Sequence, residues 1–208
     1  MISHRRRFIF VHIGKAGGKS VRKALRPIAF SPVQRAVQYI DARTFKFDFF
    51  GADPAGSHPS VAELKAAIGK DVFENYFSFS FVRNPWSRMV SLHRFIQLRP
   101  KSVHYEAATR LNFADWVDPL DGSNPFLTQS SLLLDANGAP QVDFIGRFET
   151  LNDDFEKVCK TIGCKASLPH KNKTSGGGFR TEYKAETVDK VKDMFADDVA
   201  NFGYRFEA

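Results

Sequence analysis

A chain of 208 residues with 43% hydrophobic and 25% charged residues is long enough for one domain with a sizeable core and has an ordinary globular composition. Its net charge of +7 suits an anionic ligand, a nucleic acid or an acidic polymer without choosing among them. Two cysteines, Cys159 and Cys164, make neither a disulfide framework nor a metal site, and no run approaches the ~20 apolar residues of a membrane span.

The basic start MISHRRRFIFVHIG carries an apolar run that His12 interrupts, too short for a signal-peptide core. A cytoplasmic protein is expected. Residues 8–13 read as a buried parallel strand, followed by GKAGGKS at 14–20 and a helix over 19–25 that Pro27 ends. Between 27 and 57 only FKFDFFG suggests a strand. Ser60 and Glu63 have the spacing of a capping box, which predicts a helix over 60–69 with His58-Pro59 in the loop before it. YFSFSFV at 76–82 alternates and reads as a strand. Asn84-Pro85 then caps and opens a helix to about residue 95.

A further strand is expected at 144–148, then an amphipathic helix over 150–162 that Gly163 stops. On that helix Cys159 shares the apolar face of Phe155, Val158 and Ile162, as a packed thiol would. KNKTSGGGFR at 171–180 is a basic glycine-rich loop, and one last helix carries Val188, Val191, Phe195, Val199 and Phe202 on a single face. Strands separated by helices imply an α/β fold with a mainly parallel sheet, in one domain spanning 1–208.

Two segments have the chemistry of anion sites. In the first, Gly14, Gly17 and Gly18 allow close backbone approach, the following helix adds its positive end, Lys15 and Lys19 add charge, and Ser20 adds a hydroxyl. A Walker A loop needs five steps between its glycines; Gly14 to Gly18 is four, and the strand at 76–82 ends in Arg83 rather than an acidic metal ligand. The second segment is FVRNPWSRMVSLHRF, in which Arg83 ends a strand and Arg88 and Ser91 share a helix face. Arg83 and Ser91 are placed to meet one phosphate; a local cap or salt bridge at Arg83 is the alternative.

Taken together, GKAGGKS resembles the P-K-[TS]-x-G-[TS]-[TS] loop that binds the 5′-phosphosulfate in sulfotransferases, and RNPWSRMVS resembles their R-[DN]-P-x-x-R-x-x-S element for the 3′-phosphate. With GSHPSVAEL, FIGRFETLNDDFEKVCKTIG and the C-terminal stretch, the chain resembles the carbohydrate-type (family 2) sulfotransferases, relatives of heparan sulfate 2-O-sulfotransferase, and their bacterial members. It departs where Gly14 replaces the usual Pro and Lys19 a hydroxyl residue. The resemblance implies a three-layer, P-loop-like sulfotransferase fold. The donor would be 3′-phosphoadenosine 5′-phosphosulfate (PAPS), held by Lys15, Ala16, Gly17, Gly18, Lys19, Ser20, Arg83 and Ser91, with no metal. The acceptor would be a carbohydrate or other hydroxyl-bearing molecule.

Lys15 would stabilise the leaving phosphate oxygen with the amides of residues 17–20. Lys173 and Arg180 of the glycine-rich loop would close on the donor; a basic connector is the equal alternative. A base must take the acceptor proton. The resemblance places it at His58, against the reading of a turn histidine held by Pro59. His12 reads as packed in the first strand, His93 points away from Ser91, and Glu63 is explained by its cap. Trp86 and Trp116 would line an acceptor cleft or belong to the core. The GKS triplet favours the rival reading, a P-loop-type kinase using Mg-ATP. The charge alone suggests a nucleic-acid-binding protein, yet no nucleic-acid-binding module is present.

Overall fold

The computed structural model describes residues 1–33, 58–117, 119–120, 128–169 and 178–207. The suggested strand at 45–51, His170 and Lys173 lie outside them. The fold is α/β. Its sheet has four strands in the order β1 (Ile2–Ser3), β2 (Phe8–Val11), β3 (Phe77–Val82) and β4 (Phe144–Arg147). The pair β1–β2 is antiparallel, whereas β2–β3 and β3–β4 are parallel. Among the described residues there are ten α-helices: α1 (Gly18–Ala29), α2 (Val61–Ile68), α3 (Lys70–Glu74), α4 (Pro85–Ile96), α5 (Tyr105–Arg110), α6 (Phe113–Val117), α7 (Gln129–Leu133), α8 (Leu151–Thr161), α9 (Ala185–Met194) and α10 (Ala196–Phe202). They fall in two compact units, Met1–Val82 with Ser131–Lys171, and Arg83–Ser130 with Asn172–Ala208.

The first unit is built on the phenylalanine alternation. Parallel register pairs Phe8 with Phe77 and Phe10 with Phe79, so the rings share one face, and Phe10 and Phe79 stack at 5.2 Å. Val21, Leu25 and Ala29 of α1, Phe155, Val158 and Cys159 of α8, and Ile162 just after it cover that face. Burial pushes the Cys159 thiol up to about 12, as expected of a packed residue. The alternating serines are buried on the other face and keep their hydroxyls bonded: Ser80 Oγ donates to the Val11 carbonyl at 2.8 Å and Ser78 Oγ to Asp143 at 2.8 Å. Each predicted element here forms within a residue or two of its expected ends, with one correction. Helix α1 runs through Pro27 to Ala29. A proline in the last turn forfeits one helical bond, and the turn is held instead by buried Ala29 and Phe30 and by Ser3 Oγ donating to the Ala29 carbonyl at 2.9 Å.

The second unit begins at Arg83. Asn84 caps α4 by accepting from the Ser87 amide, and Pro85 occupies the first turn, as predicted. Both tryptophans of the chain belong to its core: Trp86 is buried and donates its indole N–H to the Val188 carbonyl at 2.9 Å, and buried Trp116 packs against His93. The expected last helix is two helices, broken at Phe195, whose buried ring stays in the core while the chain turns.

Asp198 on α10 is fully buried and accepts from the amides of Gln129 (2.9 Å) and Ser130 (2.7 Å) and from Gln129 Nε2 (3.1 Å), with Arg88 at 4.0 Å. Removing it strands two buried amides and takes a counter-charge away from buried Arg88. Asp198→Ala is therefore expected to lower the unfolding free energy by roughly 2–4 kcal/mol in a denaturant titration, with the loss seen first in second-unit probes such as Trp86 and Trp116 fluorescence.

Candidate active site

The segment after β2 turns through two left-handed residues, Lys15 (φ 69°) and Gly17 (φ 82°), before α1 begins at Gly18. Left-handed residues are one component of the backbone nests whose successive amides suit an anion. The glycines are demanded by contact. A Cβ on Gly17 would come within 2.9 Å of the Leu151 side chain and 3.1 Å of the Phe148 ring, and one on Gly18 would overlap the His12 ring. Gly14 is not so constrained, because a Cβ there would meet His58 at 3.5 Å, an ordinary contact. The position that departs from the family's proline thus has room for a side chain.

Lys15 and Ser20 are half-buried and Lys19 is exposed. Ala16 is 1% exposed, so its side chain belongs to the core and only its backbone can serve a ligand. The Ser20 amide donates to the Gly17 carbonyl at 2.9 Å, which commits it to the helix rather than to the loop cradle as expected. The amides of Gly17 and Gly18 stand at the head of α1, where the helix dipole is positive.

Two histidines meet this loop. His58, in the segment before α2, places its ring against Gly14, and its Nδ1 lies 3.0 Å from the His12 carbonyl. A carbonyl only accepts, so Nδ1 donates to it, and in the neutral tautomer that this bond selects Nε2 carries the lone pair. The His12 and His58 ring centroids are 4.8 Å apart. His12 lies just beyond β2 and is half-buried. Burial, aided by the charges of His58, Arg22, the N-terminal amine and Lys19, lowers its imidazole to about 3. Glu63 closes the predicted capping box, accepting from the Ser60 amide at 2.7 Å and Ser60 Oγ at 2.9 Å, and this holds its carboxyl below the usual value. That is a capping role.

In the second unit Arg83 is 7% exposed, and both Nε (2.9 Å) and one terminal nitrogen (2.7 Å) donate to Ser87 Oγ. Its backbone is gripped by a single side chain: Gln129 Oε1 accepts from the Arg83 amide and Gln129 Nε2 donates to its carbonyl, each at 2.8 Å. Gln129, itself fixed by Asp198, was not among the residues singled out by sequence, because no local motif marks it. Ser87 is likewise an addition. Ser91 lies one turn beyond Ser87 on the same helix face and is half-buried. Arg180, in a short 3₁₀ turn over Arg180–Glu182, packs on the Phe179 ring and donates Nε to the Phe206 carbonyl at 3.2 Å. Buried His93 packs against Phe113 and Trp116 and has a lowered pKa through burial, in line with a core residue.

Residues 1–205 match the Sulfotransferase family, and the chain belongs to it. The activity this family defines is transfer of a sulfuryl group, and the chain is an enzyme of the transferase class. An uncharacterized protein of Archaeoglobus fulgidus is 31% identical over 117 residues, covering 50% of this chain and 82% of its own length. No solved structure matches. Among the described residues no helix is long and apolar enough to cross a membrane.

His12 supplies a test of the site's electrostatics. Its folded value lies below the unfolded one of about 6.5, so between them the unfolded chain binds a proton that the folded chain does not, and stability falls as the pH drops below about 6.5. His12→Phe removes this titration. Between pH 7.5 and pH 5, chemical denaturation of the wild type should lose about 2 kcal/mol more than the variant. Equal losses would contradict the buried, uncharged state of His12.

Proposed function

We propose that this enzyme transfers the sulfuryl group of PAPS to an acceptor hydroxyl, most suitably on a carbohydrate. The observation that carries the reading is the packing of His58 over Gly14, which sets an imidazole whose Nδ1 donates to the His12 carbonyl, leaving Nε2 for the acceptor proton, beside a glycine loop suited to an anion. A base for the acceptor and a cradle for the donor are then neighbours within the same unit.

In the proposed reaction His58 Nε2 takes the proton as the acceptor oxygen attacks sulfur, and the bond from sulfur to the bridging phosphate oxygen breaks in line. Negative charge gathers on that leaving oxygen. Lys15 neutralises it, with the amides of Gly17 and Gly18, the hydroxyl of Ser20, the charge of Lys19 and the positive end of α1 adding to the field. A sulfuryl group carries less charge than a phosphoryl group, so these groups suffice without a metal. Arg83 and Ser91, joined by Ser87, take the 3′-phosphate, and Lys173 and Arg180 have the donor-binding role that the resemblance implies. Within the first unit β2 and β3 are adjacent and parallel, so the glycine loop leaves the sheet at its carboxyl edge, where open α/β sheets bind ligands.

The reading is tested by following 3′,5′-adenosine bisphosphate released from PAPS with a panel of neutral and acidic oligosaccharides. Lys15→Ala and His58→Ala should each lower kcat by roughly 10²–10⁴. Arg83→Ala should instead raise the KM for the donor. Undiminished turnover in Lys15→Ala would remove its assigned role, and undiminished turnover in His58→Ala would remove His58 as the base.

A further inference from the structure

His12 has no place in the chemistry above, yet it touches both halves of the first unit's site. One side of its ring lies so close over Gly18, the first residue of α1, that no Cβ fits between them. On another side it meets the His58 ring, with centroids 4.8 Å apart and planes inclined by 52°. Phe10 backs it at 5.9 Å from within the core. Its own carbonyl is the acceptor that fixes the proton on His58 Nδ1. His12 Nδ1 is buried without a hydrogen-bond partner. A histidine that leaves a buried nitrogen unsatisfied gains little from being a histidine as far as stability is concerned.

We propose that His12 is a positioning residue for the acceptor base: its ring, seated on Gly18 and against His58, keeps Nδ1–H of His58 on the His12 carbonyl and Nε2 facing Gly14. The inference rests on the reading of His58 as the base. His58 is an exposed side chain on the segment leading into α2, held to the loop by one hydrogen bond. One bond leaves a ring free to swing about it; a second ring in contact removes that freedom. Because the same wall stands on Gly18, the orientation of the base is tied to the backbone at the head of α1, where the donor loop ends. An uncharged wall also suits the task, since a cation at His12 would oppose the positive charge that His58 acquires when it takes the acceptor proton.

The test reads the tautomer directly. Long-range ¹H–¹⁵N spectra of protein labelled at histidine nitrogens distinguish Nδ1–H from Nε2–H imidazoles, and the His58 signals are assigned from their loss in His58→Ala. The wild type should show His58 as the Nδ1–H form. His12→Ala should lose that pattern and lower kcat by roughly tenfold or more while leaving the affinity for 3′,5′-adenosine bisphosphate unchanged. His12→Phe, which restores an uncharged ring, should recover the pattern and most of the rate. Gly18→Ala, which forces the His12 ring to move, should disturb the His58 signals although Gly18 is not in the base. An unaltered His58 pattern in both His12→Ala and Gly18→Ala overturns the inference, as does a His12→Phe variant as impaired as His12→Ala. If His12→Ala does not fold, His12→Phe and Gly18→Ala carry the same comparison. The base reading fails separately, through full turnover in His58→Ala, and that result leaves the tautomer measurement standing.

Discussion

The site depends on two places where the backbone permits no side chain. Gly17 is pressed against Phe148 and Leu151, at the junction of β4 and α8, and Gly18 lies under the ring of His12 at the end of β2. These contacts lock the loop to the strand before it and to the third parallel strand. Beneath them the stacked phenylalanines of β2 and β3 leave the sheet little room to shift, because close-packed aromatic rings cannot move singly. The left-handed backbone of Lys15 is held within that frame, and a non-glycine residue keeps such a conformation only where its surroundings impose it.

The second unit solves a related problem with polar groups. Arg83 must carry its charge while 7% exposed, and it does so with its backbone bonded at both N–H and C=O to Gln129 and its guanidinium laid on Ser87. Gln129 is in turn oriented by Asp198, which no solvent reaches. A network of this kind is rigid only when complete, since each missing partner leaves a buried group without a bond. The glycine loop is thus held by steric exclusion and the Arg83 backbone by hydrogen bonding.

Much of this was legible in the sequence, for identifiable reasons. The Phe/Ser alternation of β3, the Ser60–Glu63 box and the Asn84-Pro85 start are local signals, and each element formed where its signal stood. The glycine loop was recognisable because its order of strand, glycines, cations and helix is a linear pattern. Pro27 misled because a proline ends a helix only where nothing else holds the last turn. The roles of Gln129 and Asp198 were hidden because they arise from residues 69 apart in the chain. The contact between His12 and His58 is equally nonlocal, spanning 46 residues, and a sequence that shows two histidines does not show that one carbonyl sets the other's tautomer.

The central claim is that the loop and the Arg83 element recognise an adenosine 3′,5′-bisphosphate group rather than a nucleoside triphosphate. The direct measurement is the thermal unfolding of the whole chain with 3′,5′-adenosine bisphosphate and, in parallel, with Mg-ATP. At 100 times its dissociation constant a ligand stabilises the folded state by ~2.7 kcal/mol, which corresponds to a shift of about 5–11 °C for a chain of this size. The account predicts such a shift with the bisphosphate and its loss in Arg83→Ala. A shift with Mg-ATP and none with the bisphosphate would contradict it and return the GKS triplet to the triphosphate reading.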